Sequence, residues 1–133
     1  MTKQVIRTSH APAPVGPYNQ AIIASGEIIF VSGQIAIEPR TNQIVGIYDV
    51  AKQTEQVMTN IEAILAASGA IMSDVVKTTV FLANMNDFAV MNQVYGRYFN
   101  KASAPARACV QVSRLPKNVL VEIECIAVIP KDQ

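Results

Sequence analysis

The sequence predicts an α+β fold with two helices on one face of a mixed sheet. Three observations lead there. Ile and Val together number 31 against four Leu in 133 residues, and β-branched side chains favour strands over a helical bundle. Two segments repeat apolar residues at helical spacing, and five others are short apolar runs bounded by turn residues. Their order is strand, strand, helix, strand, helix, strand, strand, which sets the helices against one sheet face. Half of the residues are hydrophobic and 16% are charged, a composition that supports a packed core. The length suits one domain over 1–133.

From Met1 to Pro17 the chain carries Pro12, Pro14 and Pro17, which forbid a helix and favour an extended arm. Ala21–Ala24 and Ile28–Val31 are apolar runs separated by Ser25-Gly26-Glu27, the pattern of a β-hairpin. Ser32-Gly33-Gln34 extends the second run. A glycine there marks a bulge or a close approach by another group. Pro39–Asn42 reads as a turn.

Asp49 caps a helix that runs to about Ser68, with Gly69 past its end. Val50, Val57, Ile61, Ile64 and Leu65 share one of its faces. Val75–Leu82 is a strand with apolar residues on both faces, so it is expected to be covered on both sides or to meet another subunit. Asn86 or Asp87 caps a second helix reaching about Phe99, with Phe88, Met91, Tyr95 and Tyr98 as its stripe. Asn92 lies on that stripe, four residues after Phe88. Asn100–Pro105 is a loop, Arg107–Val112 a strand, Ser113–Asn118 a turn and Leu120–Val128 the final strand. Helices on one face leave the other face of an Ile- and Val-rich sheet without cover. That predicts self-association through it.

The scarce residues exclude whole classes of chemistry. The single histidine, His10, rules out a two-imidazole site within one chain. The two cysteines, Cys109 and Cys125, form no CxxC, so neither structural zinc nor any other metal site is expected. No hydrophobic region follows Met1-Thr2-Lys3-Gln4, and no apolar stretch reaches membrane-spanning length, so a cytoplasmic protein with free thiols is expected. A net charge of +1 offers no basic field for nucleic acid. No glycine-rich phosphate loop appears, and no cofactor is expected.

Alternation places Arg107, Cys109 and Gln111 on one face of their strand. An arginine at the strand's start suits a carboxylate held by two parallel hydrogen bonds, although by pattern alone a surface ion pair with a neighbouring acid is the commoner case. Glu122 and Glu124 share a face of the last strand with Leu120 and Ile126. They are candidate proton acceptors, solvated edge acids, or partners for Arg107. Cys109 has no imidazole in sequence to activate it and suits a small buried thiol better than a nucleophile. Cys125, between Ile123 and Ala127 on its own face, is core. Tyr18 either closes a pocket or anchors the arm. Asn92 is either a satisfied core amide or a pocket hydrogen-bonder.

Taken in order, Gly16-Pro17-Tyr18, Ser32-Gly33-Gln34, Gln53-Thr54, Val76–Phe81, Asn86-Asp87-Phe88, Pro105-Ala106-Arg107, Leu115-Pro116 and Val121–Glu124 resemble the YjgF/YER/UK family, the RidA-type reactive-intermediate deaminases. The resemblance runs from about Ala13 to Val128. It implies a chorismate-mutase-like fold: a mixed six-stranded sheet, two helices on one side, and a homotrimer whose sheets line a barrel core. It implies clefts between subunits and cofactor-free hydrolysis of 2-imino or enamino acids, such as 2-iminobutanoate and 2-iminopropanoate, to 2-keto acids and ammonia. By the same resemblance Arg107 grips the substrate carboxylate, Glu122 activates or positions water, Cys109 lies beside the substrate, and Tyr18, Gly33 and Asn92 line the cleft. Ala104 stands where many members carry an aromatic residue, which opens the question of side-chain preference. Some relatives are described as endoribonucleases or translation inhibitors. A keto-acid sensor or a chaperone-like scaffold is a further reading of the same fold.

Overall fold

The computed structural model describes residues 3–131. Eight strands and two helices follow in the order β1 (Lys3–Ile6), β2 (Ala21–Ala24), β3 (Glu27–Gln34), β4 (Ile37–Glu38), β5 (Gln43–Ile44), α1 (Val50–Ala67), β6 (Val75–Leu82), α2 (Phe88–Tyr95), β7 (Ala106–Gln111) and β8 (Val121–Ile129). The main sheet has four strands in the order β3-β8-β6-β7. Its β3/β8 and β8/β6 pairs are antiparallel and β6/β7 is parallel, so the sheet is mixed as expected. The remaining strands pair as two separate ribbons, β1/β2 and β4/β5, so the main sheet is smaller than the six strands anticipated.

The hairpin expected between Ala21–Ala24 and Ile28–Val31 does not form. β2 pairs with β1, and β3 pairs with β8 from Glu27 opposite Ile129. The cause lies at Gly26. Its φ of +144° turns the chain so closely against β8 that a β-carbon would lie 2.8 Å from the Ile129 carbonyl carbon. The chain therefore leaves one ribbon and enters the main sheet without folding back. β1 was hidden because four residues, Lys-Gln-Val-Ile, carry too short a pattern. Its Lys3 Nζ donates to the carbonyls of Ser73, Val75 and Ser103 at 2.7, 3.1 and 2.9 Å, fastening the ribbon across two distant loops. Burial pulls this ammonium below the usual lysine range.

Helix α1 matches its sequence signals. The Asp49 carboxylate accepts from the Lys52 amide at 3.1 Å, and Gly69 takes a φ of +81° past the end. Val57, Met58, Ile61 and Leu65 bury against β6 and β8 residues Val75, Val80, Val121 and Ile123. The buried Gln53 links layers: its amide donates to the Gly46 carbonyl at 2.9 Å, while its oxygen accepts from the Leu120 amide at 2.9 Å. The second helix is shorter than predicted. Residues 85–87 form a 3-10 turn capped by Asn84, whose side chain accepts from Asn86 N at 2.8 Å, and neither Asn86 nor Asp87 caps by its side chain. After Tyr95 the chain tightens into a second 3-10 turn over Gly96–Tyr98.

Register separates the two faces of the sheet. Thr78 and Val80 stand opposite Arg107 and Cys109 on the helix-covered face, whereas Thr79 and Phe81 stand opposite Glu124 and Glu122 on the other. That second face carries no helix. Phe30 is 76% exposed and Ile28 58%, close to half-buried Ile126 and Val128. No helix among the described residues is long and apolar enough to cross a membrane.

Candidate functional site

Arg107 occupies the second position of β7, and the chain builds a cage around its guanidinium. Nη1 donates to Asn92 Oδ1 at 2.6 Å. The Tyr95, Tyr18 and Phe88 rings lie 4.8, 5.3 and 5.6 Å from Cζ. Each contact follows from local structure. Phe88, Asn92 and Tyr95 fall four and three residues apart on α2, so one helix face delivers all three. Tyr18 arrives from the arm. Asn19 beside it is buried, and its side-chain amide donates to the Ala104 carbonyl at 2.8 Å while its backbone amide donates to Pro105 O at 3.2 Å. These bonds clamp the arm to the loop before β7. The Tyr18 hydroxyl accepts from Val15 N at 3.3 Å.

The ion pairs among the described residues are Arg40–Glu38 and Arg97–Glu55. Neither involves Arg107, so the reading of this arginine as half of an internal ion pair is set aside. Its cage supplies stacking and one amide oxygen, but no counter-charge. A half-buried guanidinium in such a setting keeps N–H donors for an external anion, and its fork matches a carboxylate.

Cys109 lies two residues on, on the same face, and packs partly buried against the core. Burial pushes its thiol up, and the Arg107 charge opposes this without overcoming it. The thiol is therefore protonated at neutral pH, the opposite of an activated nucleophile. Cys125 is buried, and burial takes its thiol up to about 11. Gln111, third on this face, accepts from Met85 N at 2.7 Å and tethers the turn before α2.

Glu122 and Gly33 form a second cluster. They meet where β3 breaks register with β8 between Val31 and Gln34, and a β-carbon on Gly33 would collide with the Glu122 carboxylate. Both readings of this glycine, bulge and close approach, hold. Glu122 sits on the uncovered sheet face, however, and Arg107 on the helix face. Within one chain the six candidate residues thus divide into Arg107, Asn92, Tyr18 and Cys109 on one side and Gly33 and Glu122 on the other. Gly33 also opens one end of a groove of about 470 Å³ between α1 and the β4/β5 ribbon, lined chiefly by Ile35, Ile37, Pro39 and Ile64.

Helical spacing marks Phe88 and Tyr95 only as core stripe. The stripe's one polar residue, Asn92, was the sign that something charged lay against it. Ala104 is fully buried, and its carbonyl accepts from the Asn19 side-chain amide. His10 is exposed on the arm. No group of three His, Cys, Asp or Glu side chains among the described residues is arranged to hold a metal ion.

Fold and site together define a small mixed α+β protein with a caged arginine at the start of a parallel edge strand. Residues 8–129 match the profile of the family described as Endoribonuclease L-PSP, and the chain belongs to that family, the YjgF/RidA family of the resemblance above. It is 58% identical over 130 residues to a RutC family protein of Synechocystis, covering 98% of this chain and 99% of the relative. It is 46% identical over 127 residues to the Escherichia coli K12 protein named 2-iminobutanoate/2-iminopropanoate deaminase, covering 94% and 97%. Among solved structures, E. coli TdcF with bound serine superimposes with a TM-score of 0.72 at 44% identity, covering 95% and 98%.

Proposed function

We propose that this chain hydrolyses reactive 2-imino and enamino acids, 2-iminobutanoate and 2-iminopropanoate among them, to 2-keto acids and ammonia. The observation that carries the reading is Arg107: caged by Asn92 and three rings, with no ion-pair partner among the described residues. Its free N–H edge binds the substrate carboxylate in two parallel hydrogen bonds. The imine carbon is already electrophilic when its nitrogen is protonated, so water needs orientation more than activation. Glu122 holds that water and takes one of its protons as the C–O bond forms. That proton passes to nitrogen, and as the C–N bond breaks and ammonia leaves, Glu122 takes the remaining hydroxyl proton, so the keto group is left. Cys109 contributes backbone and packing, in keeping with its protonated thiol.

Arg107 and Glu122 lie on opposite faces of the sheet, so a complete site takes Arg107 from one copy and Glu122 with Gly33 from another. The reading includes the homotrimer that the family resemblance implies, with the exposed Ile28 and Phe30 face buried between copies. The name of the E. coli deaminase relative supports the substrate class, and the serine bound to TdcF supports a small amino-acid-like ligand.

The test is keto-acid and ammonia release from 2-iminobutanoate generated in situ by threonine dehydratase, with semicarbazide as competitor. Wild type accelerates it, and Arg107→Ala loses about 30- to several-thousand-fold, the loss expected when one partner of a buried charge pair is removed. Near-wild-type turnover by a folded Arg107→Ala variant refutes the assignment. RNA cleavage that survives stringent purification and ignores Arg107 supports an endoribonuclease instead. Keto-acid binding without turnover supports a sensor.

A further inference from the structure

We propose that Thr78 and Tyr95 form a positioning pair that sets the plane of the Arg107 guanidinium. The inference rests on the reading of Arg107 as the carboxylate clamp and deepens it. Tyr95 is fully buried, and its hydroxyl shares a 2.7 Å hydrogen bond with the buried Thr78 Oγ1. Thr78 stands directly beside Arg107 across the parallel β6/β7 pairing. The Tyr95 ring is the nearest of the three around the guanidinium, at 4.8 Å from Cζ.

The geometry explains why a hydroxyl is placed there. An aromatic ring alone leaves a stacked guanidinium free to slide and rotate over its face. Anchoring the hydroxyl, which lies on the ring's long axis, to the strand that carries Arg107's neighbour fixes the tilt of that axis relative to β7, and the ring's full burial hinders turning about it. Asn92 Oδ1 at 2.6 Å then fixes rotation within that plane. Two restraints of different kind, one stacking and one polar, hold the guanidinium edge that carries the remaining N–H donors. A bidentate carboxylate needs that edge held before it arrives, because ordering a long side chain at binding costs affinity.

A purely structural role for this bond predicts something different. Replacing one partner leaves a buried hydroxyl unsatisfied, whereas replacing both with apolar groups of the same shape is nearly neutral for stability. Thr78→Val and Tyr95→Phe therefore each lower Tm, and the double variant recovers it. Positioning is not recovered, since the ring remains unanchored.

The experiment measures two quantities in the full-length oligomer of wild type, both single variants, the double variant and Thr78→Ser. The first is the Nε–Cζ rotation rate of Arg107 by 15N NMR, which needs no ligand. The second is 2-oxobutanoate binding by calorimetry. The expected result is slow rotation in wild type and Thr78→Ser, and faster rotation in both single variants and the double. Weaker 2-oxobutanoate binding by about five-fold accompanies the faster rotation. A double variant that regains wild-type rotation together with wild-type Tm overturns the proposal, as does unchanged rotation in Tyr95→Phe. Hindered rotation in a wild type that neither binds 2-oxobutanoate nor hydrolyses imine upholds the pair and removes the carboxylate-clamp reading instead.

Discussion

Gly33→Ala isolates the second half of the proposed site without touching the first. A β-carbon at Gly33 would lie 2.9 Å from Glu122 Cδ and 3.2 Å from its Cγ, and closer still to the carboxylate oxygen, where ordinary contact begins at 3.4 Å. The backbone at Gly33 is not left-handed, so alanine brings no conformational strain there. What gives way is the flexible end of Glu122, which must move by about 1 Å or more. A displacement of that size in a positioned catalytic group costs on the order of a hundredfold in rate. Stability changes little, because no buried backbone atom is struck. The assay is imine hydrolysis beside thermal unfolding, with Glu122→Gln and the double variant as controls. Gly33→Ala is expected to lose about a hundredfold in kcat/KM at nearly unchanged Tm, and to add little to Glu122→Gln because both act through one carboxylate. A rate within about threefold of wild type, with Glu122 still essential, refutes the claim that the Gly33 cleft holds that carboxylate in its working position.

Gly26→Ala strikes backbone: at φ +144° its new β-carbon meets Ile129, so a loss of about 2 kcal/mol or more is expected in denaturant unfolding. Phe30→Asp places a charge on the exposed sheet face and is expected to yield monomers by light scattering, with imine hydrolysis lost in parallel. Alkaline stability depends on Tyr95, which burial takes from an ordinary 10 up to about 12. A raised folded value stabilises below the unfolded value and is lost as pH climbs through the folded one. Unfolding free energy therefore falls by about 2–3 kcal/mol between pH 10 and 12, and Tyr95→Phe flattens that fall. Iodoacetamide labelling of Cys109 at pH 7 is expected to be slower than for a free cysteine, and Cys109→Ser to retain turnover, because burial keeps the thiol protonated.

Much of this protein is legible in one dimension. The Asp49 cap, the heptad-like spacing over 50–65 and Gly69 announced α1 because helix signals are local in sequence. The bounds of β6 are likewise visible in the apolar run Val75–Leu82, which only Lys77 and two threonines interrupt. Alternation placed Arg107, Cys109 and Gln111 on one face, as β7 has them, because a strand's period needs no tertiary information. Pairing partners were another matter. Residues 21–24 and 28–31 look like a hairpin, yet the choice between folding back and crossing to β8 depended on Gly26 and on a strand more than ninety residues away.

Sequence alone determined the α+β class, the main helix, the absence of a second imidazole and the six residues brought forward as candidates. Tertiary structure decided how those six are shared out. Strand alternation says which neighbours in one strand share a face, but not which faces of different strands coincide. Only the β6 register, with Thr78 and Val80 toward Arg107 and Cys109 and Phe81 toward Glu122, puts the arginine under the helices and the glutamate on the bare face. The cage of Tyr18, Phe88 and Tyr95 arose the same way, from an arm and a helix that meet only when Asn19 clamps the loop before β7.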